Sequence, residues 1–488
     1  MSVKEACGEP GATAPVPAVV PAAGPTPTSP PSPDPASASG SPVRTGPALV
    51  ALAGAALLAV LDGTVVAVAL DPLAHAFSAP LTTVVWVTIA YLLAAATALP
   101  LLGWASARFG GRTVFLTGLG LFLLGSLLCT AARSPGMLIG FRALQGFGGG
   151  LLEPSAMTLS AALATRESMG RVLGVMSTVV NVAPAAGPIL GGLLLETGHW
   201  QWLFGVNIPL GLLVGAATLA YVPAGRPDPA AARPGADLRG LALLTAGYLG
   251  VLFAVNRAGE QSGDWPVPAA AAGGIVLLVA YVRHAVTTTA VPALDLRLLR
   301  RPGFAASVAV MGLVGLIMYG QTTALPVVGL DQHGLHGFDQ GLLVCALGLG
   351  LLVSMTTGGR LSDRLGARSL VRSGAVASAV LLATFAASAE HLPLAAACAL
   401  FVAVGLSFGL TASPTVASLY RTLPPAEQPQ GTTSIFMAVQ FAASLGVALL
   451  SLLQARAGAD WVTALFALFA GAAAGIGLLA ARLPGRPG

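Results

Sequence analysis

The chain has 488 residues, 55% of them hydrophobic and only 9% charged, whereas a soluble globular domain carries ~25% charged residues. Together with a mean hydropathy of +0.82, this leaves too little polar surface for water and excludes most soluble readings. The net charge of +5 comes from 24 basic residues, a single lysine among them, scattered along apolar segments. No basic stripe for nucleic acid results.

Residues 1–45 are dense in Pro, Ala, Ser and Gly, a composition expected to form a disordered cytoplasmic tail. Its prolines interrupt any continuous apolar core, so it does not read as a signal peptide. From Pro47 onward, apolar runs alternate with short polar breaks, the pattern of repeated membrane crossings of ~20 residues each. Helices are expected at 47–67, 82–102, 112–132, 136–160, 171–194, 202–222 and 238–257. A second set is expected at 268–286, 304–326, 338–358, 369–389, 392–415, 430–453 and 461–482, fourteen in all. Cys7, Cys129, Cys345 and Cys398 show no metal or redox spacing.

An even count puts both termini on one side of the membrane. Twenty basic residues then fall on that side, and only Arg133, Arg257 and Arg456 on the other, with Arg142 inside a helix. Basic residues accumulate in the cytoplasm, so the chain is expected in the cell membrane with both termini cytoplasmic. Only two of the 19 acids, Asp62 and Glu153, fall inside the expected helices away from their ends. A charge at that depth requires a cavity or a partner.

Asp62 lies about fifteen residues into a helix that starts inside, ~22 Å along its axis, and Arg142 sits at comparable depth in the fourth helix. Asp62 reads as a member of a static ion pair, a satisfied helix-end acid or a proton-binding acid. Glu153 follows Arg142 by eleven residues, about three turns on, which returns it to the same face. Lipid burial favours its neutral form and a nearby guanidinium its charged form. It reads as a proton site, a contact for a cationic substrate or a structural acid. Other polar residues within apolar runs are Tyr91, Gln145, Asn181, Asn256, Tyr319, Gln321 and Gln440, each a pocket residue or a helix–helix hydrogen bond.

The turn Gly103-Trp104-Ala105-Ser106-Ala107-Arg108-Phe109-Gly110-Gly111-Arg112 is matched 256 residues later by Gly359-Arg360-Leu361-Ser362-Asp363-Arg364-Leu365-Gly366-Ala367-Arg368. Gly103, Arg108, Gly110 and Arg112 each have their counterpart, in Gly359, Arg364, Gly366 and Arg368. Such a duplication points to repeated helical halves with substrate held between them.

This turn resembles the loop signature of the major facilitator superfamily, and the chain resembles that family from about residue 47 onward. Arg142-Ala143-Leu144-Gln145-Gly146 resembles its fourth-helix signature, and Pro184, Gly187, Pro188, Gly191 and Gly192 its exporter signature in the fifth helix. The segments Leu61–Ala69 and Trp200–Pro209 resemble the fourteen-helix drug:proton antiporter branch. Two departures are Ala107, where the family usually has Asp, and Gln201, where it commonly has Arg.

The resemblance implies an all-α integral membrane protein of the major facilitator fold, with two six-helix bundles in pseudo-two-fold repeat and two extra central helices. The expected parts are the tail 1–45, a first bundle over 46–222, linker helices over 223–290, a second bundle over 291–482 and a short tail over 483–488. It further implies proton-coupled export of amphipathic drugs or antibiotics by alternating access, with Asp62, Glu153 and Arg142 coupling protons. Gln145, Asn181, Asn256, Tyr319 and Gln321 are the candidate cavity residues, the duplicated turns the cytoplasmic gating loops. The partners are then a small molecule, protons and the bilayer, with no cofactor, metal, nucleotide or nucleic acid. A dedicated exporter of one metabolite is the alternative. A membrane enzyme or a receptor is disfavoured, since no HExxH or GxSxG occurs and no folded soluble segment is apparent.

Overall fold

The computed structural model describes residues 45–164, 169–224, 235–258, 266–288, 292–335, 337–424 and 427–483. The tail expected over 1–45 lies outside them, Thr45 excepted, as do residues 484–488. Every element along the described chain is helical, as lipid demands of a chain that must satisfy its backbone hydrogen bonds internally.

The first helix, α1 (Thr45–Val65), tightens into a 3-10 turn over Val66–Ala69 and continues as α2 (Leu70–Phe77). The tightening coincides with the β-branched run Thr64-Val65-Val66 and Val68, whose side chains crowd the preceding helical turn. Pro72 looks like a helix breaker in the sequence. It sits in the first turn of α2, where its missing N–H costs nothing, so helix persists beyond the expected end at 67. A short turn, α3 (Leu81–Val84), leads into α4 (Trp86–Phe109), which runs past its expected end at 102.

The chain continues through α5 (Gly111–Thr130), α6 (Pro135–Leu163), α7 (Met169–Leu195), α8 (Trp202–Gly205) and α9 (Asn207–Tyr221). Next come α10 (Leu238–Arg257), α11 (Pro266–Thr287), α12 (Pro302–His333), α13 (Leu342–Leu365) and α14 (Ala367–Ser388). The last three are α15 (Leu394–Thr422), α16 (Gln428–Ala457) and α17 (Trp461–Leu479).

Ten segments among the described residues are long and apolar enough to cross a membrane. One of them, Gln430–Arg482, contains both α16 and α17. The helix α6, interrupted by Arg142 and Glu153, is not among the ten, and α7 and α13 enter only as the shorter apolar stretches Ala186–Leu195 and Asp339–Met355.

Two large hydrophobic cores form. One is built from α1 to α6, α8 and neighbouring turns around Phe115, Phe122 and Phe204. The other, from α12 to α17, centres on the aromatic cluster Phe385, Phe401, Phe466 and Phe469. In that cluster the Phe385 ring lies 4.8 Å from Phe401 and 4.6 Å from Phe466, both edge-on. Ala443, Val447 and Ala448 of α16 reach into the first core. A smaller cluster joins Leu93 and Leu99 of α4, Tyr281 of α11 and Phe441 of α16.

The duplicated turn has a duplicated backbone. Gly110 adopts φ 85° and ψ 141° before α5, and Gly366 adopts φ 82° and ψ 144° before α14. A side chain is strained there, which accounts for glycine at both positions. Arg112 donates to the Leu219 carbonyl at the end of α9 (2.8 Å). Its counterpart Arg368 donates to the Leu483 carbonyl just beyond α17 (2.9 Å). Each arginine thus ties the start of one helix to the end of a later one. Gly110→Ala is expected to cost about 1–3 kcal/mol, read as a lower melting temperature of the purified protein. Gly103→Ala, at a helical position with open space around it, is the control and should not destabilise.

Candidate functional site

A polar cluster lies within the first core, where four helices deliver side chains to one point. Ser134 caps α6 by accepting from the Met137 amide, and Arg142 follows about two turns in. Arg142 is wholly buried and Asp62 is only 2% exposed. The Arg142 Nη1 donates to the Asp62 Oδ2 at 2.5 Å and to the Gln145 Oε1 at 2.7 Å. The Gln145 Nε2 in turn donates to the Asp62 Oδ1 at 2.8 Å and to the Ser126 Oγ at 2.8 Å. The Asn207 Nδ2, from the start of α9, donates to the same Asp62 Oδ1 at 2.7 Å.

Both carboxylate oxygens are therefore satisfied by donors from α6 and α9. The guanidinium is less complete. Its Nε donates to the Val87 carbonyl at 3.2 Å, but its Nη2 has no partner among the described residues. That part of Arg142 is held by aromatic faces, with the Tyr91 ring centroid 4.3 Å away and the Phe204 ring 5.5 Å away. Cation–π attraction compensates part of the lost hydration. The Tyr91 hydroxyl is itself anchored on the Ala59 carbonyl (2.9 Å).

Asp62 stands just before the 3-10 turn of α1, and the glycine-rich segment of α7 fits against that turn. A side chain at Gly187 would strike Thr64, and one at Gly191 would come within 2.6 Å of Val68. Gly187, Pro188, Gly191 and Gly192 are all buried. The exporter-like stretch of α7 therefore packs onto the break in the helix that carries the buried acid. Such close approach is open only to glycine.

Glu153 occupies a different setting. It lies further along α6, immediately before Pro154, and is half-buried. It makes no ion pair or hydrogen bond among the described residues, and its carboxyl lies within electrostatic reach of the Tyr91 and Tyr319 hydroxyls. Tyr319 belongs to α12 yet packs against the first core. One acid is thus locked and the other free.

The remaining candidates separate. Gln321 is fully buried, with its Nε2 on the Met318 sulfur (3.7 Å) and its Oε1 without a partner among the described residues. Asn256 bridges two helices, accepting from the Trp86 Nε1 at 3.0 Å and donating to the Ser451 Oγ at 2.8 Å. Gly103 and Arg108 are exposed, and the Arg108 guanidinium lies 5.9 Å over the Phe109 ring. Asn181, Pro184, Gly359, Asp363 and Arg364 fall outside the described side chains. Sequence reasoning did not assign Asn207 or Ser126 to the site, although a polar residue in an apolar run was the available signal.

The Major Facilitator Superfamily profile matches residues 52–349 and 310–488. The chain belongs to this superfamily. It is 34% identical over 407 residues to the multidrug resistance protein B homolog of Mycobacterium tuberculosis, covering 82% of this chain and 74% of that one. It is 30% identical over 358 residues to the methylenomycin A resistance protein of Streptomyces coelicolor (72% and 73% covered). The lincomycin resistance protein LmrB of Bacillus subtilis is 26% identical over 421 residues (86% and 87% covered). Membership in the superfamily makes the chain a multi-pass membrane transporter and not an enzyme.

A buried pair stripped of one partner loses about 3–5 kcal/mol. Arg142→Gln should therefore lower the melting temperature markedly by leaving Asp62 uncompensated. The double variant Arg142→Gln/Asp62→Asn, with no charge left to compensate, should recover much of the loss.

Proposed function

We propose that the chain is a proton-coupled antiporter that exports amphipathic drugs or antibiotics by alternating access. Its fourteen helices of fifteen residues or more among those described, α8 and other short elements aside, are read as fourteen crossings. The two large cores are read as six-helix bundles, with α10 and α11 as added linker helices. The Arg-rich turns face the cytoplasm, as the positive-inside rule requires. The multidrug, methylenomycin and lincomycin resistance names of its relatives support the cargo class.

The observation that carries the reading is the asymmetry between the two membrane acids. Asp62 is neutralised by Arg142 and sealed by Gln145 and Asn207, whereas Glu153, half-buried, has no partner among the described residues. Protonating Asp62 removes the charge that holds Arg142. The guanidinium, which already has a vacant donor at Nη2, is then released to find another acceptor. Because α7 grips the turn next to Asp62, loosening of this pair is transmitted to the α1–α7 seam. Each proton supplies about 1.4 kcal/mol per pH unit and about 2.3 kcal/mol per 100 mV. Glu153 is the site where a cationic cargo displaces or awaits a proton.

Asp62→Asn should abolish efflux driven by a pH gradient in inverted vesicles while the protein still inserts. Undiminished efflux would remove Asp62 from the mechanism. Glu153→Gln should depress export of cationic substrates about tenfold or more and spare neutral ones; equal loss of both would show that Glu153 does not read cargo charge. The second reading, a dedicated exporter, is favoured by relatives named for one antibiotic each. Protection against a single chemical class in a pump-deficient host would establish it.

A further inference from the structure

A cavity of about 340 Å³ lies among α2, the end of α7 and the turn before α13, within the size range of small-molecule sites. Asp71 of α2, Glu196 and Trp200 beyond α7, and Gln340 of the 3-10 turn before α13 line it, with Pro72 and Leu195 supplying apolar wall. Neither lysine nor arginine is among the lining residues. Two carboxylates, an aromatic ring and an amide therefore share one small space, and Asp331 lies within electrostatic reach of Asp71.

Gln340 separates this place from an ordinary acidic rim. It is only 5% exposed, and its amide has no hydrogen-bond partner among the described residues, although it lines the cavity. Its polar atoms are not among those closed off from solvent, so they open onto the cavity and are available to a ligand there. Trp200 is fixed in place, its ring 5.3 Å from Phe77 and 6.2 Å from Phe204. The cavity ring thus meets edge-on a residue that also faces the Arg142 guanidinium. Two imidazoles lie nearby, His75 at 3.5 Å from Asp71 and His199 between the lining residues Gly198 and Trp200, and both are exposed.

We infer that this cavity is a binding site for a monovalent organic cation, an ammonium group with an apolar body. Asp71 and Glu196 neutralise the charge, the Trp200 face receives the ammonium methyl groups, and the Gln340 carbonyl oxygen completes the polar contacts. A tetrahedral ammonium suits this set better than a metal ion, because no group of three metal-ligating side chains occurs among the described residues. The site draws on both α7 and the turn before α13, so it forms only while those elements stay together. Its position opposite the Arg-rich turns rests on the topology proposed above; its chemistry does not.

The test is equilibrium binding of benzyltrimethylammonium to the full-length protein in lipid nanodiscs, without any gradient, so that the result is independent of proton-driven export. Saturable binding is expected, weakened about tenfold by Asp71→Asn/Glu196→Gln and several-fold by Trp200→Leu or Gln340→Leu. Its neutral isostere, neopentylbenzene, should show no saturable binding. Variants that elute and melt as the parent does yet bind the probe undiminished would overturn the assignment. So would equal binding of the neutral isostere, or loss of binding in Glu153→Gln with retention in Asp71→Asn/Glu196→Gln.

Discussion

A charged carboxylate at membrane depth needs a cavity or a partner, and the requirement to neutralise Asp62 organises the first core. Arg142 supplies the countercharge from α6, Gln145 a second donor from the same helix, and Asn207 a third from α9. Ser126 of α5 accepts from Gln145. Four helices are drawn to one point by groups whose desolvation is offset by pairing with one another. Interhelical hydrogen bonds of this sort substitute for the hydrophobic driving force that is weak between helices in lipid. The pairing also makes the site conditional, since any change in the charge of Asp62 alters what Arg142 requires.

The two large cores share a covalent plan but not a chemistry. Gly110 and Gly366 have the same backbone conformation, and Arg112 and Arg368 each cap a carbonyl at the end of a later helix. Around α12 to α17, however, the described core holds stacked phenylalanines and hydroxyl pairs such as Ser378–Ser407 (2.6 Å) and Ser307–Ser418 (3.0 Å). Its buried side chains include no counterpart of Arg142. Among the described residues, the buried charges are concentrated in one half of a duplicated frame. Asn256 of α10 fastens Trp86 to Ser451, so the helix hairpin α10–α11 touches elements of both.

Helix-forming stretches, the duplicated turn and the three ionisable residues of the membrane segments were legible from the order of residues, because each is a local pattern. A run of apolar residues in lipid has no alternative to helix, a glycine at positive φ announces itself by recurring in register, and a charge in an apolar run is conspicuous. Less legible were the helix ends. Pro72 and Gly103 look like breakers, yet one sits in a first turn and the other inside α4, where neither breaks anything.

Sequence by itself determined an all-helical membrane protein of duplicated plan, with Asp62, Arg142 and Glu153 as its costly charges. Tertiary structure alone decided which acid is paired. Arg142 shares a helix face with Glu153, yet it bonds Asp62, eighty residues away in the chain; Asn207 and Ser126 enter the site from still other helices. Spacing along one helix fixes a direction, but which neighbour stands opposite depends on how separate helices pack, and no local pattern encodes that.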